Sequence, residues 1–502
     1  MKFSLLDSLI VIVYMAASAM VGAWIGRKQK STTDYFLGGR NIPWFAVTFS
    51  IVATETSVLT FISIPAVSYI GDMTFLQICM GYILGRILVA WLMIPAYYRG
   101  DMDTAYHFLG QRFGQGMRNT ASITFMVTRV LADGVRLFAT AIPLAFIIRS
   151  SGLFSGLSPA QFYLISIFII GVITMVYTYI GGIRSVIWMD VTQMIVYLGG
   201  AILAGIIILT KLPHGFASVT EYAAETDKLR IINFGFQLSF QEFIRQPYTF
   251  FTGLIAGAIF SLASHGTDQI IVQRVLACKD VRASKKAIIW SGILVFLQFL
   301  LFLFVGILLY AYYGGVSFQE LDLVRADGIF PKFIVEEMPV GISGLIVAAL
   351  FAAAMSTLSS SLSSLSSAAT LDIYIPFLGK GKSEADLLKI SRRITLIWGI
   401  ILIVTASFFI QLEESTTVVE FALGIASYTY GGLLGAFLLG IFLKKASQKD
   451  AIRGFFAALA VMIVVIQTVQ IAWPLYTVVG SMTAISVGML SELIRRRSSG
   501  NT

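Results

Sequence analysis

The amino-acid sequence predicts an all-α polytopic membrane protein of thirteen transmembrane helices, and three observations carry that prediction. Of its 502 residues, 57% are hydrophobic and 13% charged, with a mean hydropathy of +0.83; soluble domains carry roughly a quarter charged residues. Continuous apolar stretches recur from Leu5 to Leu490, each close to the ~20 residues that a helix needs to cross the hydrocarbon core. A membrane β-barrel would show alternating segments of about ten residues instead. Finally, the cations sort to alternate loops.

The spans fall at 5–26, 43–70, 73–98, 119–148, 158–178, 186–210, 248–273, 287–313, 338–370, 394–411, 416–443, 452–470 and 473–493. With the N-terminus outside and the C-terminus cytoplasmic, 25 of the 36 Lys and Arg face the cytoplasm, as positive-inside sorting requires. They include Arg27, Lys28 and Lys30, the run from Arg274 to Lys286, the run from Lys380 to Arg393, and Arg495 to Arg497. The outer loops carry 7: Arg149, Lys211, Lys228, Arg230, Arg245, Arg325 and Lys332. Lys2 precedes the first span, and Arg86, Arg129 and Arg136 lie within spans. The net charge of +9 is therefore a topology signal and argues against a nucleic-acid partner. The outer loops 211–247 and 314–337 suit short surface helices, so the chain reads as one membrane domain in contact with lipid, with no obligate protein partner evident. The run Leu5–Ile25 is too long for a signal h-region, has only Lys2 before it and meets Arg27-Lys28-Gln29-Lys30 after it, so it reads as a retained span. Cys79, Cys278, His107, His214 and His265 are scattered and form no disulfide or metal pattern.

Four polar stretches inside the spans bear on function, because a charge in the bilayer core is costly and faces a pathway or a partner. Ser50 to Thr60 in the second span includes Ala53, Glu55, Thr56 and Ser57. A break here would expose carbonyls to a cation, which is tolerated only beside a cavity; the alternative is a continuous helix whose Ser and Thr bond back to their own carbonyls. Ala352 to Ser364 in the ninth span turns Ser356, Thr357, Ser359 and Ser360 toward one side. Those oxygens suit a hard cation, or the small residues form a packing seam. Arg129, Asp133 and Arg136 share one face of the fourth span. They form a structural ion pair, or a site for a charged solute with one arginine left free. Asp190, opening the sixth span near Thr192 and Gln193, is a cation ligand or a charge favoured by a helix N-terminus.

Together these stretches resemble the sodium/solute symporter family, which includes the sodium/glucose, sodium/proline and sodium/sialic acid transporters. Asp34-Tyr-Phe-Leu-Gly-Gly-Arg40, Tyr177 to Asp190, Asp268 to Arg274, Met355 to Ser360 and Asp372-Ile-Tyr374 carry the likeness in order and spacing. The resemblance implies a LeuT-type core of two inverted five-helix repeats (5+5), at 43–210 and 248–443. A peripheral helix and loop (1–42) would precede it, and two C-terminal helices with a tail (444–502) would follow. The first helix of each repeat would be broken at midplane, the second near Ser261–Gly266. It implies one sodium held by the carbonyls of Ala53, Thr56 and Ala353 and the hydroxyls of Ser356 and Thr357. A second would use Asp190, Ser356, Ser359 and Ser360, so one or two Na+ serve as coupling ions.

The solute follows from departures from the family pattern. The sugar branch carries an Asn and a gating Tyr where this chain has Ser261 and Ser264. The sialic acid branch uses an arginine where this chain has Ala132, and a threonine where it has Glu55. Glu55, Ser57, Thr60, Phe75, Arg129, Asp133, Arg136 and Ser261 would line a site for a charged or zwitterionic solute such as a carboxylate, amino acid or sialic acid; equally, Glu55 and an arginine pair with each other. The resemblance thus implies sodium-coupled symport in the cell's inner membrane, with a sodium/sugar symporter as the alternative. A channel would need a continuous pore with filter motifs. An enzyme would need a nucleophile with its base, or a metal constellation, and neither pattern is seen. A channel or a solute sensor built on a transporter fold is the alternative from another class, although no signalling domain follows Arg497.

Overall fold

The computed structural model describes residues 4–26, 29–100, 102–150, 156–323, 326–410 and 418–499. Lys2, Arg27, Lys28 and Arg325 of the charge pattern, the side chain of Arg149 and the first residues of the span expected at 416–443 lie outside the described residues. The described chain is helical, with a single isolated bridge between Ile42 and Cys278.

Polar residues set the helix ends. Helix α1 (Leu5–Ile25) starts at a reciprocal cap between Ser4 and Asp7. The short α2 (Thr32–Leu37) ends at Gly38 and Gly39, whose φ values of 60° and 67° make the left-handed turn that leads into α3 (Trp44–Glu55). Next come α4 (Val58–Ile70), α5 (Leu76–Arg99), α6 (Ala105–Phe113), α7 (Gln115–Ser150) and α8 (Pro159–Lys211). Two short helices occupy the loop at 211–247 as expected, α9 (Phe216–Thr226) and α10 (Phe240–Arg245). The second half comprises α11 (Thr252–Gly266), α12 (Gln269–Leu276), α13 (Val281–Tyr312), the loop helix α14 (Ile329–Glu337), α15 (Ile342–Leu378), α16 (Glu384–Phe409), α17 (Val418–Phe442), α18 (Gln448–Thr468) and α19 (Trp473–Ser499). Among the described residues, seven helices are long and apolar enough to cross a membrane, and the bent pair α3–α4 makes an eighth.

The expected fifth and sixth spans are one run of 53 residues in α8, interrupted at Gly182 (φ 53°, ψ −159°). The chain folds back there. Tyr177 OH donates to Met355 O (3.0 Å), while Ser356 Oγ donates to Asp190 Oδ1 (2.6 Å). Residues 177 and 190 would lie roughly 20 Å apart on a straight helix, yet they reach adjacent residues of α15. Arg184, expected in a loop, is therefore helical. Close glycine contacts set other crossings: a Cβ at Gly81 or Gly85 of α5 would collide with a carbonyl of α11.

Helix α15 is the core element. It is 89% buried over its most apolar window and packs against α1, α3, both arms of α8, and α16. Asp7 of α1 caps its start, accepting from Gly341 N (2.7 Å), Gly344 N (2.9 Å) and Ser343 Oγ (2.8 Å). In the loop at 211–247, Lys228 donates to the carbonyls of Tyr69 (2.6 Å) and Ile70 (3.1 Å) at the end of α4, where a cation complements the helix dipole. Burial pushes its ammonium pKa down.

Gly182 generates a prediction. Its backbone lies where only glycine is comfortable, and a Cβ would collide with Tyr35 O. Gly182→Ala is expected to lower stability by at least about 1–3 kcal/mol, read as a fall in the thermal midpoint of the purified protein; an unchanged midpoint would refute the fold-back at this residue.

Candidate functional site

The break between α3 and α4 follows from a competition for backbone donors. In an unbroken helix Ser57 N–H would bond Ala53 O, and Thr60 N–H would bond Thr56 O. Here Ser57 N–H turns to Thr60 Oγ1 (3.4 Å) and Thr60 N–H to Ser57 Oγ (3.3 Å), a capping box that opens α4. Thr56 takes extended φ/ψ (−86°, 100°), and the two segments bend by 64°. The carbonyls of Ala53 and Thr56 thereby lose their helical donors. The Thr56 hydroxyl is engaged, donating to Val52 O (3.0 Å) and accepting from Gln298 Nε2 (2.5 Å), with Tyr197 OH 3.3 Å away. Its carbonyl is the group it has to offer a cation. On α15, Thr357 Oγ1 donates to Ala353 O (3.1 Å), which holds a hydroxyl and a carbonyl of the expected site on one side of the helix. Thr54 Oγ1 and Ser360 Oγ, 3.0 Å apart, join α3 to α15.

The structure also gathers the second expected set. Asp190 accepts from Ser356 Oγ (2.6 Å) and from Ser50 Oγ, and Ser359 and Ser360 both donate to Ser356 O (3.1 and 2.6 Å). Arg274 stands among them. It pairs with Asp190 Oδ2 (3.0 Å), donates to Ser50 Oγ (2.8 Å) and contacts Ser360 Oγ, with no solvent exposure. The charge pattern places Arg274 in a cytoplasmic loop; in the structure it lies on the buried helix α12, and its guanidinium balances Asp190.

Other buried charges pair as well. Glu55 takes Arg86 Nη2 on both oxygens (2.6 and 2.5 Å) and faces His265 Nε2 at 2.8 Å. The arginine that meets Glu55 is thus Arg86 of α5. Arg129 pairs with Asp268, which also accepts from Tyr430 OH (2.8 Å). Asp133 Oδ1 lies between Arg129 (3.5 Å) and Arg136 (3.4 Å). The second break falls at Thr267–Asp268, just beyond the expected Ser261–Gly266. Gly266 stays helical and, having no side chain, admits the Met93 sulfur where a Cβ would collide; the Asp268 carboxylate, accepting from Ile270 N (2.9 Å), starts the next helix.

Two cavities lie along α7. One is lined by Ser57, Asp133, Arg136, Thr140, Thr357 and Leu358, among others. The other includes Arg129, Ala132, Arg136, Asp268 and Tyr430. Of the expected solute residues, Ser57, Arg129, Asp133 and Arg136 line these spaces. Glu55 is held by its ion pair, and Thr60 caps α4. Phe75 stacks on Phe299 (5.1 Å between centroids), and Ser261 Oγ, fully buried, donates to Tyr82 O (3.1 Å).

The family model described as the sodium:solute symporter family matches residues 35–458. The chain belongs to this family. It is 33% identical over 496 residues to the sodium/sialic acid symporter NanT of Aliivibrio fischeri, covering 98% of this chain and 93% of that one. It is 30% identical over 495 residues to the sodium/sialic acid symporter SiaT of Proteus mirabilis, covering 97% and 95%. A solved Na+-coupled sialic acid symporter, substrate-bound and outward-open, superposes with a TM-score of 0.84 at 30% identity over 98% of both chains. The protein is a multi-pass membrane symporter that couples Na+ to a small organic solute, and not an enzyme.

Within this symporter, sequence reasoning missed Arg86, His265 and Arg274 as partners of Glu55 and Asp190. The signal was present: each is a polar residue at or near an apolar span, and each such residue needs a countercharge or acceptor. The Glu55–Arg86 pair yields a prediction. Glu55→Gln keeps the side chain's shape and leaves the fully buried Arg86 without a countercharge. Because Glu55 is 19% exposed, stability should fall by the lower end of about 3–5 kcal/mol. Adding Arg86→Met should recover more than half of that loss in thermal midpoint; a double variant no more stable than Glu55→Gln would contradict the pairing.

Proposed function

We propose that the symporter imports a charged organic solute of the carboxylate, amino acid or sialic acid kind, driven by sodium held where α3 breaks against α15. The supporting observation is the capping box at Ser57 and Thr60, which frees the Ala53 and Thr56 carbonyls on a helix joined through Thr54 and Ser360 to α15, the helix of Ala353, Ser356 and Thr357. The cavity that shares Ser57 and Thr357 with this junction would hold the solute next to the ion. In this reading the chain is a single membrane domain of thirteen spans, N-terminus outside and C-terminus inside, with inverted repeats at 43–210 and 248–443 and lipid around it. A second sodium at Asp190, Ser356, Ser359 and Ser360 would bind in competition with the Arg274 guanidinium, so its site opens only when Arg274 withdraws.

Sodium arriving from outside closes the junction between α3 and α15. The solute completes the site, and the loaded carrier rocks to face inward, where low sodium and the potential favour release. Each sodium contributes about 2.3 kcal/mol per 100 mV crossed. The sialic acid relatives support an acidic solute, and Ser261 and Ser264 in place of the sugar branch's Asn and Tyr weigh against a sugar.

Two measurements test this reading. Thr357→Ala should raise the sodium concentration for half-maximal uptake into proteoliposomes by about tenfold, with little change in the solute requirement at saturating sodium; unaltered sodium activation would remove Thr357 from the site. Both native cysteines are buried, so Ser498→Cys offers a clean topological label. A membrane-impermeant maleimide should modify it only after cells are permeabilised, and labelling of intact cells would invert the orientation.

A further inference from the structure

From the pattern of occupied and unoccupied charges around the breaks, we infer that the solute is a compact zwitterion, an α- or β-amino acid, whose ammonium meets Asp133 and whose carboxylate meets Arg136. The inference rests on the sodium-coupled reading above and narrows its solute class.

Most of the buried ions are already occupied. Glu55 is engaged on both oxygens by Arg86 and by His265. Asp190 is filled by Arg274, Ser50 and Ser356. Asp268 holds Arg129, Tyr430 and the backbone of Ile270. Asp133 differs. It is 2% exposed, its Oδ1 is shared by two arginines at 3.4 and 3.5 Å, and its Oδ2 has no hydrogen-bond partner among the described residues. A buried carboxylate oxygen without a donor costs free energy until a donor arrives. Arg136 is its counterpart among the cations. Its side chain is 29% exposed, and among the described residues its guanidinium has only the 3.4 Å contact to Asp133.

Both residues line the narrow cavity that also presents Ser57 and Thr357, which has to widen to take a guest. The lining thus offers one anionic acceptor and one cationic donor group in contact with each other, with no net charge. A net-neutral lining favours a net-neutral guest. A bare anion would gain Arg136 and face the Asp133 carboxylate close by, so the charge that suits Arg136 is opposed unless the guest brings a cation. Because the two groups touch, the guest's opposite charges must be separated by only a few bonds. The apolar Leu137, Ala354 and Leu358 complete the wall and suit an uncharged side chain.

The test is thermal stabilisation of the purified full-length symporter, in sodium and in potassium. The probes are the α-amino acids, the matched α-hydroxy acids and methyl esters, and sialic acid. At least one amino acid should stabilise in sodium alone, and its hydroxy acid and ester should need at least tenfold higher concentration. Asp133→Asn, nearly isosteric, should weaken the amino acid about tenfold or more and leave the hydroxy acid unchanged or tighter, since the opposing carboxylate is gone; Arg136→Gln, which removes the cation, should erase the preference for acid over ester. If sialic acid or a simple carboxylate stabilises in sodium while no amino acid does, the zwitterion is overturned and sodium coupling stands. The zwitterion is overturned equally if Asp133→Asn leaves the amino-to-hydroxy preference intact, which is the signature of an oxygen satisfied only by water. An amino acid acting equally in both salts, with the Asp133 dependence preserved, supports the zwitterion site and overturns sodium coupling.

Discussion

A helix that stops in mid-membrane must satisfy its backbone without water, and the rest of this architecture depends on how that is done. An unpaired amide or carbonyl in hydrocarbon costs several kcal/mol. At the first break, Ser57 and Thr60 cap each other, so the amides of the new helix are served and the carbonyls of the old one are left exposed. The asymmetry is what the proposed sodium site would use: donors are satisfied locally, and the surplus consists of acceptors. The second break uses a different device. Asp268 caps the new helix with one oxygen and receives Arg129 and Tyr430 with the other, so the local surplus is neutralised by protein groups.

The same contrast runs through the buried charges. Arg86, Arg129 and Arg274 each neutralise a carboxylate near a break, and each pair joins helices distant in sequence. α5 is bound to α3, α7 to the start of α12, and the end of α12 to α8. Buried pairs are weak sources of stability, because desolvation offsets their attraction, but removing one partner is costly. Their effect here is to fix register between elements and to remove net charge from the core. On one turn of α7, Asp133 and Arg136 form a further pair, looser and partly exposed, in which Asp133 Oδ2 has no hydrogen-bond partner among the described residues.

Much of the helical plan was legible in the sequence, because spans are set by length and apolarity and polar residues mark their ends. The second span was legible as a polar stretch because Ser, Thr and Glu crowd it, but whether it breaks was left open by the residues themselves, since a capping box and a back-bonded helix use the same residue types, and only the 3.3–3.4 Å Ser57–Thr60 contacts distinguish them. The expected solute residues separated for a related reason. Glu55 looked available because its partners, Arg86 and His265, lie 31 and 210 residues away, and no local pattern connects them. Arg274 was assigned to a loop because it precedes the basic run Lys279 to Lys286, although it lies in a helix of eight residues that is buried throughout. Gly182 could be read as a turn signal, but nothing in the sequence shows that one residue reverses the chain.

Ser356 and Thr357 show why ion and solute should act on the same conformer. Ser356 is committed to Asp190 across α8 and α15, whereas Thr357 lines the same cavity as Ser57, the residue that follows the freed Thr56 carbonyl. In the proposed cycle a cation at the break would draw α3 toward α15, and that closure would shape the wall that Ser57 and Thr357 present to the solute. A solute bridging Asp133 and Arg136 would in turn bury the open face of the junction and slow escape of the ion. Each ligand thereby favours the arrangement the other needs, and by linkage the free energy it contributes to its partner's binding equals the one it receives. No separate relay between the sites is required, because the two share a wall.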